Sequence, residues 1–583
     1  MHLYGDPIWD MALRMHSKWE ILQPNMTLVQ KIRDHLGCHP ITAKVLANRK
    51  ITTPAQASDF FQPSLEILPS PMGLSGMEAA VRRIRAALEH QEKILVFGDY
   101  DADGVTATAV LVDFLTCAGA RVYAHIPHRI EEGYGLQPKH INQLAAPQRI
   151  GLIITVDCGS SSHEAVRAAR RFGIDVIITD HHNIDTPPEA LAVINPKLPG
   201  EPDDLTSLAG VGVAYYLVIG LRMVLRESGW WRTHREPNLM ILSDLVALGT
   251  IADMVPLTGV NRALVKTGLR QINKSGRPGI EALRATCRIP QGSIGSEDIA
   301  FRLAPRINAA GRIANANVAY DLLGAPTLNA AQELAEALDH LNHRRQSIEQ
   351  EIFDQIVRRI ETRSDLLNRK TLVLADQLWH QGVLGIVASK LTSRYHRPVI
   401  LIAVHDGVGK GSGRSVPELD LFSALMECSH LLDKFGGHRL AAGITVREEN
   451  IRKLQAVFEE AVVKLVPAHD AAPKLEIDSE IQFNQISPRL MDELEGLEPY
   501  GTDNPPPIFL SRNVQVASAA MLSGRHRRMS LCQAADGSPA LDAIHFNLPH
   551  DAPKAGCFER LAFRMQWNRF RGEKRIQLVI EDI

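Results

Sequence analysis

The sequence predicts a multidomain α/β protein with a parallel-sheet domain, a second α/β domain joined to it by a long helix, and a C-terminal OB-fold β-barrel. Apolar strand-like runs alternate with helical patterns from Lys93 onward, which is typical of a parallel sheet. Residues 329–365 keep a helical spacing without Pro or Gly, and short strands separated by turns fill the C-terminal part. At 583 residues the chain is too long for a single hydrophobic core.

Composition indicates a folded protein without a membrane segment. Hydrophobic residues make up 45% and charged residues 22% of the chain, as in ordinary globular proteins. The longest apolar runs are too short to span a bilayer, and no basic stretch leads into an apolar one near Met1, so we expect a cytoplasmic protein. Seven cysteines without a CxxC pair predict reduced thiols rather than a disulfide framework or a zinc site. The net charge of −2 decides nothing about nucleic acid, because a local basic face is sufficient for binding.

The predicted domains follow one another along the chain. The pattern changes from short helices broken by Pro and Gly, to alternating strands and helices, to one long helix, to a second alternating region, and finally to short strands. The corresponding ranges are a helical leader at 1–90, a parallel-sheet domain at 91–327, a connecting helix at 328–365, a second α/β domain at 366–465 and the OB-fold at 466–583.

Acidic and imidazole side chains follow three of the predicted strands. In a parallel sheet the carboxyl ends of the strands meet at one edge, where ligands bind, so these side chains are expected on one rim. The candidates are Asp101 and Asp103 after "KILVFGD", Asp157 after "IGLIITV", His181 and His182 after "DVIITD", and Asp253 in "LGTIADMVPL".

The chemistry of this set favours a divalent cation. A single acid after a strand is usually a helix N-cap, which we expect of Asp99. Asp101 and Asp103 are expected to share a face at the strand end, where two close carboxylates repel unless a cation neutralises them. Carboxylates with imidazoles and no thiolates favour Mn²⁺ or Mg²⁺. Two such ions, about 3.5–4 Å apart, activate water for in-line attack on phosphorus, which predicts phosphoester hydrolysis.

The same residues carry a family resemblance. "GDYDADG", "VDCG", "TDHHN" and "ADMVPL" resemble, in order and spacing, the four motifs of the DHH phosphoesterase superfamily, and "GGHRLAAGI" is similar to the GGH motif of the associated DHHA1 domain. "LANRKITTPAQASDFFQPSLEILPSP", "RLAPRINAAGR" and "GSGRS" resemble the RecJ branch. The likeness covers nearly the whole chain, and the ordered set is far more specific than any one motif. It implies a single-strand-specific 5′→3′ DNA exonuclease that releases 5′-mononucleotides in recombination and repair.

The resemblance also implies roles for individual residues. Asp103, Asp157, His181 and Asp253 match the ligands of one metal ion, whereas Asp101 and the shared Asp157 match those of a second. His182 matches the histidine that contacts the scissile phosphate.

Further matches concern the substrate. Arg129, Ser412 and Arg414 match the pocket for the 5′-terminal phosphate. Arg306 and His438 match contacts to the cleaved diester. The planar guanidinium suits this work because it grips two phosphate oxygens at once. Taken alone, each of these arginines would be interpreted as half of a surface ion pair.

One position departs from the superfamily pattern. Several small-substrate members have a histidine four residues before the first ligand aspartate, whereas this chain has Phe97. We therefore expect one metal to be held weakly, or its shell to be completed by water or by Asp99, so that its occupancy depends on metal concentration.

Basic residues beside aromatic ones predict a grip on unpaired DNA in the C-terminal domain. "GRHRRMS" and "WNRFRGEKR" combine groups that track a backbone with rings that stack bases, although a solvated charged turn is the alternative. The candidates are Arg525, Arg527, Arg528, Trp567, Arg569, Phe570 and Arg571. By resemblance, the expected partners are single-stranded DNA, single-strand-binding protein and a RecQ-type helicase, with a monomeric chain and no membrane.

Two other functions stay open at this point. The first is a hydrolase of the same superfamily that acts on short oligonucleotides, cyclic dinucleotides or pyrophosphate. The long helix and the β-barrel disfavour it, because a small substrate needs neither. A catalytically inactive DNA-binding scaffold is disfavoured by the complete set of ligand residues at all four motifs.

Overall fold

Two structural units make up the chain, one formed by residues 21–339 and 477–583 and the other built on residues 340–476. The structure is a computed structural model. It describes residues 18–274, 276–466, 474–522, 526–533, 539–546, 548, 556–570 and 573–583. None of the described helices has both the length and the apolar character that crossing a bilayer requires. All seven cysteines are unpaired, as the sequence predicts.

The described N-terminal residues, from Lys18 to Phe61, form one short strand and three helices. These are β1 (Lys18–Ile21), α1 (Met26–Leu36), α2 (Pro40–Asn48) and α3 (Pro54–Phe61). Local signals fix the ends: Asn25 caps α1 and Gly37 ends it at φ 61°, while Thr53 and Gln56 form a capping box at α3.

A five-stranded parallel sheet with helices forms the centre of the first unit. The elements are α4 (Met77–Glu89), β2 (Lys93–Phe97), α5 (Ala102–Cys117), β3 (Arg121–His125), α6 (Pro138–His140), β4 (Leu152–Val156), α7 (His163–Arg171), β5 (Asp175–Thr179), β6 (Ala192–Ile194), α8 (Gly210–Glu227), α9 (Ser243–Ala252), α10 (Gly259–Lys274), α11 (Pro278–Thr286), α12 (Ser296–Asp298), α13 (Ala304–Ile313) and α14 (Asn317–Leu323). The strand order is β3-β2-β4-β5-β6. Every residue of β4 is buried, as expected for a sheet covered on both faces. The predicted parallel sheet is confirmed.

The first acidic motif forms a helix start rather than a strand end. β2 ends at Phe97, and the Asp101 carboxylate caps α5 by accepting the backbone N–H groups of Asp103 and Gly104, each at 3.0 Å. Gly104 allows the preceding turn to fold back here, because a Cβ atom at 104 would lie 2.5 Å from the Asp99 carbonyl oxygen. The expectations that Asp101 and Asp103 share a strand face, and that Asp99 is the cap, are therefore wrong.

A single helix crosses the boundary between the units. α15 (Leu328–Thr362) has 35 residues and so a length of about 52 Å. The sequence predicts this helix to within three residues; Ser364–Asn368 then form a 3₁₀ turn. The uninterrupted run without Pro or Gly explains why it continues for so long.

The second unit is built on a mixed sheet. Its elements are β7 (Leu372–Asp376), α16 (Leu384–Tyr395), β8 (Val399–His405), β9 (Val408–Arg414), α17 (Leu421–Glu427), β10 (Leu432–Gly437), β11 (Ala441–Arg447), α18 (Ile451–Leu465) and β12 (Lys474–Ile477), the last of which pairs with β1. The order is β10-β11-β9-β8-β7; β7 and β8 are parallel and the other neighbours antiparallel. A second α/β domain is thus confirmed, with β7 at one edge.

The C-terminal part forms a closed β-barrel, which confirms the predicted OB-fold. Its elements are β13 (Ser479–Glu480), α19 (Pro488–Gly496), β14 (Phe509–Leu522), β15 (His526–Gln533), β16 (Leu541–His545), β17 (Cys557–Phe570) and β18 (Glu573–Asp582). Pairing of β14 with both β15 and β17 closes the ring β14-β15-β16-β18-β17. The barrel interior and α1–α3 share one hydrophobic core, in which Val29 and Ile32 join Phe509 and Phe563. The exact domain boundaries stay predictions.

A buried arginine ties this shared core to the parallel-sheet region. Arg262 of α10 is 1% exposed and donates hydrogen bonds to the carbonyl oxygens of Phe60 at 2.7 Å and of Leu497 and Glu498 at 2.9 Å. A fourth bond reaches Pro499 at 3.3 Å, and the guanidinium lies 3.8 Å from the Phe60 ring centroid. One side chain therefore satisfies acceptors on two distant segments.

Replacing this arginine will destabilise the first unit. In Arg262→Ala at least three buried carbonyl groups lose a charged donor, which costs about 3 kcal/mol or more. We expect the midpoint of thermal unfolding, followed by far-UV circular dichroism, to fall by several degrees. Arg270→Ala, an exposed position on the same helix, is the control. Equal midpoints for the two variants would contradict this role.

Candidate metal centre

The structure brings the five predicted ligand residues together at the carboxyl edge of the parallel sheet. The His181 Nε2 atom lies 3.1 Å from an Asp157 oxygen, 3.6 Å from Asp253 and 3.8 Å from Asp103. A second group consists of Asp99, Asp101 and Asp157. One carboxylate oxygen of each of these residues lies within 4.8 Å of the others. Asp157 therefore belongs to both groups, and Asp99 joins the second.

Asp103 is held by the start of a helix. Its two oxygens accept the backbone N–H groups of Gly210 at 2.6 Å and Val211 at 2.9 Å, the first residues of α8. Glycine is required at 210 because a Cβ atom there would lie 2.5 Å from Asp157 Oδ1. Asp157 itself has φ 58°, a strained value for a non-glycine residue. The sequence interpretation did not identify this support, although "AGVGVA" shows two small residues at a helix start.

The electrostatics of the centre favour a cation. Burial, followed by the charge of Asp101, raises the pKa of Asp103 to about 7. Burial and the neighbouring Asp103 likewise raise the pKa values of Asp157 and Asp253. Burial lowers the pKa of His181 to about 3, so its imidazole is neutral. Like charges in one desolvated place are costly unless a positive ion lies among them.

Unsatisfied atoms agree with this conclusion. Asp99 Oδ1, Asp157 Oδ1 and both ring nitrogens of His181 are buried and lack a hydrogen-bond partner, since even the 3.1 Å approach of His181 to Asp157 is not aligned as a hydrogen bond. Buried polar atoms are rarely left in this state. Carboxylate oxygens with one neutral imidazole are the donor set that Mn²⁺ and Mg²⁺ accept, so the residues fit the ions that the sequence predicts.

His182 lies beside the centre and is oriented by Asp180. Its Nδ1 atom is 2.7 Å from Asp180 Oδ1, and its side chain is 37% exposed. Asp180 also accepts the backbone N–H groups of Ser160, His181 and His182. Burial alone would raise the pKa of Asp180, but these bonds, led by that of His182, hold it well below its usual range. Burial lowers the pKa of His182, but the hydrogen bond and charge of Asp180 outweigh burial and raise it overall. The sequence interpretation gave Asp180 no role.

A second cluster near the sheet edge is a hydrogen-bonded clamp. Glu132 Oε2 lies 3.0 Å from His125 Nε2 and 3.2 Å from His140 Nε2, an arrangement that also resembles a cation site. The Nδ1 atom of His140, however, accepts the backbone N–H of Gln137 at 3.0 Å. Nε2 must then carry the proton of the neutral ring and cannot bind a metal. Glu132 therefore accepts from His125, whereas His140 Nε2 lies 3.2 Å away without an aligned hydrogen bond.

This clamp fixes the segment that carries Arg129. Glu132 Oε1 also accepts the backbone N–H of His128 at 2.9 Å, which closes a turn around Arg129. The Arg129 guanidinium lies 4.9 Å from the Tyr100 ring centroid. Phe97, which is fully buried, covers the clamp, with its ring centroid 5.4 Å from that of His125 and 4.9 Å from that of His140. The departure at Phe97 is thus a packing contact.

The other predicted substrate contacts lie on separate elements. Arg306 of α13 is paired with Asp339 at 2.8 Å. In the second unit, Ser412 and Arg414 of β9 approach each other at 3.3 Å. A Cβ atom at Gly385, near the start of α16, would lie 3.0 Å from Ser412 Oγ and 2.8 Å from an Arg414 nitrogen, so both side chains reach a helix N-terminus. His438 follows β10, and its backbone N–H donates to Ala441.

The predicted DNA grip of the barrel is divided between strands that are not neighbours. Arg527 and Arg528 lie on β15, whereas Trp567 and Arg569 lie on β17. Arg528 pairs with Asp542 at 3.1 Å, Arg569 pairs with Glu495, and Lys574 lies 4.1 Å from the Trp567 ring centroid. Arg525, Arg571 and the side chain of Phe570 lie outside the described residues.

Comparisons with known proteins show which protein families the chain resembles. The chain matches the DHH family, N-terminal domain, over residues 93–250, the DHHA1 domain over 368–464 and the RecJ OB domain over 477–582. The single-stranded-DNA-specific exonuclease RecJ of Salmonella typhimurium is 39% identical over 525 residues, which cover 88% of this chain and 90% of the relative. The RecJ of Bacillus subtilis is 34% identical over 572 residues, covering 97% and 70%.

A solved structure agrees with these matches. The crystal structure of RecJ in complex with Mn²⁺ from Thermus thermophilus has a TM-score of 0.82 at 32% sequence identity, covering 98% of this chain and 80% of that one. The same protein is also solved with Mg²⁺, at a TM-score of 0.77. With the ordered motifs, the cage of carboxylates and the closed barrel, these matches leave one conclusion: the chain belongs to the RecJ family of single-stranded-DNA-specific exonucleases, within the DHH family.

Proposed function

We propose that the protein is a metal-dependent exonuclease that degrades single-stranded DNA from the 5′ end and releases 5′-mononucleotides. The observation that carries this proposal is the buried cage of carboxylates around His181, whose atoms without a hydrogen-bond partner a cation would satisfy. The relatives named as single-stranded-DNA-specific exonucleases supply the substrate class.

Two Mn²⁺ or Mg²⁺ ions suit the two overlapping groups of ligands. Asp103, His181 and Asp253 would hold one ion with Asp157, and Asp99 and Asp101 would hold the other with the same Asp157. When bound, such ions supply an activated water and neutralise charge on the leaving oxygen. Asp99 provides the additional oxygen that is expected where Phe97 replaces a histidine.

Side chains of the protein would bind and orient the phosphate groups of the substrate. Because Asp180 accepts the Nδ1–H of His182, the opposite ring atom, Nε2, is the one available to the scissile phosphate. Its raised pKa favours the protonated ring, which donates Nε2–H to a phosphate oxygen. From the family resemblance, we propose that Arg129, Ser412 and Arg414 bind the 5′-terminal phosphate and that Arg306 and His438 contact the cleaved diester.

The proposed setting is recombination and repair in the cytoplasm, where thiols stay reduced; the seven unpaired cysteines agree with this. A monomeric chain with single-strand-binding protein and a RecQ-type helicase as partners remains the proposal by family likeness. The barrel residues Arg527, Arg528, Trp567 and Arg569 are proposed to hold unpaired DNA, which requires some of their ion pairs to open.

End-labelled substrates test the function. Single-stranded DNA labelled at the 5′ or 3′ end is incubated with Mn²⁺ or Mg²⁺, beside a blunt duplex and a dinucleotide. We expect immediate release of the 5′ label as a mononucleotide from the unpaired strand, and none from the duplex. Cleavage of only the dinucleotide would favour the small-substrate hydrolase, and binding without cleavage the inactive scaffold.

Asp157→Asn tests the metal cage. The shared ligand contributes to both groups, so we expect kcat on single-stranded DNA to fall at least about 100-fold, since the ions supply several kcal/mol of transition-state stabilisation. Titration calorimetry with Mn²⁺ should show weaker binding. Asp185→Asn, an exposed acid with no role in the cage, should behave as the parent. Unchanged turnover in Asp157→Asn would contradict the assignment.

The raised pKa values of the cage predict that the stability of the metal-free protein depends on pH. The carboxyl groups of the cage have pKa values raised above those of the unfolded chain, so the folded protein binds more protons between about pH 4 and pH 7. Stability in EDTA should therefore fall as pH rises through this window. Thermal unfolding should show a smaller fall in Asp157→Asn, and excess Mn²⁺ should abolish it in the parent. A flat profile in EDTA would contradict this electrostatic account.

Arg129→Ala tests recognition of the 5′ end. Loss of charge-assisted hydrogen bonds worth about 1.5–3 kcal/mol should lower kcat/KM on 5′-phosphorylated DNA roughly 10- to 150-fold, with little change on 5′-hydroxyl DNA. Glu132→Gln should change the same ratio in the same direction but less, since it loosens the turn that carries Arg129. Equal losses on both substrates would show that Arg129 does not read the terminal phosphate.

A further inference from the structure

A groove of about 420 Å³ runs along the outer edge of β7 in the second unit. Among the residues that the structure describes, β7 is the last strand of its sheet and has β8 as its one neighbour. α18 flanks the edge, since Gln455 Nε2 donates to the Val373 carbonyl oxygen at 2.9 Å and Glu459 accepts the Thr371 backbone N–H at 3.0 Å. α15 also contributes to the lining, through Arg359.

The backbone of β7 offers hydrogen-bonding groups to this groove. The Leu372 N–H donates to Pro398 beside β8. In a parallel pair, alternate residues bond to the neighbouring strand, so the peptide groups of Val373 and Ala375 turn to the open edge. Gln455 already donates a hydrogen bond to the Val373 carbonyl oxygen. Ala375 is therefore the position where an added strand would pair. An open edge of this kind is a template for another extended segment.

Charged side chains of both signs line the groove. Arg363 and Arg369 lie where β7 begins, and Arg359 and Arg452 lie on the flanking helices. Arg363 pairs with Asp365 at 3.1 Å. No ion pair of Arg359 or Arg452 occurs among the described residues. The acids Asp376 and Glu448 lie where β7 ends. The lining thus contains four arginines and two acids, so the groove carries a net positive charge.

We propose that this groove binds an acidic extended peptide of a partner protein, which adds as a strand to the edge of β7. Main-chain hydrogen bonds at Ala375 would give affinity, and carboxylates of the peptide would pair with Arg359 and Arg452. Single-stranded DNA suits the groove less, because DNA lacks the alternating amide groups that an edge strand pairs with, and Asp376 and Glu448 repel a continuous polyanion. The groove is lined by residues of the second unit, and none of them belongs to the metal centre, so the two sites can be tested separately.

Fluorescence anisotropy with a labelled ten-residue peptide tests the site. The probe alternates Asp with Val or Phe, and a matched peptide carries Lys in place of Asp. We expect the acidic peptide to bind the full chain and the basic one not to bind, with affinity falling as salt is raised. Arg359→Glu should weaken binding at least about 10-fold. Arg358→Glu, an exposed neighbour outside the groove, should leave it unchanged.

The strand-addition geometry has its own test. Ala375→Pro removes an N–H that faces the open edge and no bond to β8, a substitution that edge strands tolerate. It should abolish peptide binding while exonuclease activity on labelled single-stranded DNA stays within about twofold of the parent. Amide hydrogen exchange at Ala375 in the unaltered protein should slow when the peptide is added, which gives a second measurement if the proline variant does not fold.

Several results would overturn the proposal. Equal losses in Arg359→Glu and Arg358→Glu would remove the charge argument, and full binding by Ala375→Pro or unprotected exchange at Ala375 would remove strand addition. If labelled oligothymidylate competes with the peptide and loses affinity in Arg359→Glu, the groove is a DNA-binding surface. Dimerisation of the free chain that Arg359→Glu disrupts would instead make a second copy the occupant.

Discussion

Carboxylates of like charge, withdrawn from water at one edge of a sheet, are the constraint on which the first unit depends. Asp99, Asp103 and Asp157 are each at most 4% exposed, and burial is the largest cause of their raised pKa values. Such a set is stable only where positive charge compensates it. Two helix starts supply part of that charge: the first N–H groups of α5 face Asp101, and those of α8 face Asp103. The bound cations would supply the rest.

The same region uses other acids for a different purpose. Asp180 accepts four hydrogen bonds, and its pKa is lowered, in contrast to the cage acids a few ångströms away. Glu132 is likewise satisfied by His125 and by the backbone of His128. Hydrogen bonds to a carboxylate stabilise its charge, whereas burial beside other carboxylates opposes it. Environment therefore separates acids that bind cations from acids that orient a histidine or a loop.

The two larger sheets outside the parallel-sheet region differ at their edges. The C-terminal sheet closes on itself through the pairing of β14 with β17, so the barrel has no free edge in that ring. The sheet of the second unit ends at β7, whose outward peptide groups face a groove lined by arginines. Closed barrels avoid unwanted strand pairing, whereas an open edge with charged flanks can select one. An opportunity for partner binding thus exists in only one of these two sheets.

The sequence by itself determined the class of the fold and the composition of the cage. Apolar β-branched runs such as "LIITV" predict buried strands, and the long run with helical spacing and without Pro or Gly predicts α15. Acids that follow several parallel strands are expected at one edge of the sheet. Only the tertiary structure decided which acids lie in the cage and which cap a helix or orient a histidine. Asp99 looks like a helix cap in the sequence but lies in the cage, because the turn before α5 folds back over Gly104.

Other contacts join residues that are far apart in the chain. Examples are the joint core of α1–α3 with the barrel and the contacts of Arg262. The Glu132 clamp depends in addition on the tautomer of one histidine ring. Local patterns fix burial and periodicity, but contacts between distant segments depend on packing that no short stretch of sequence contains.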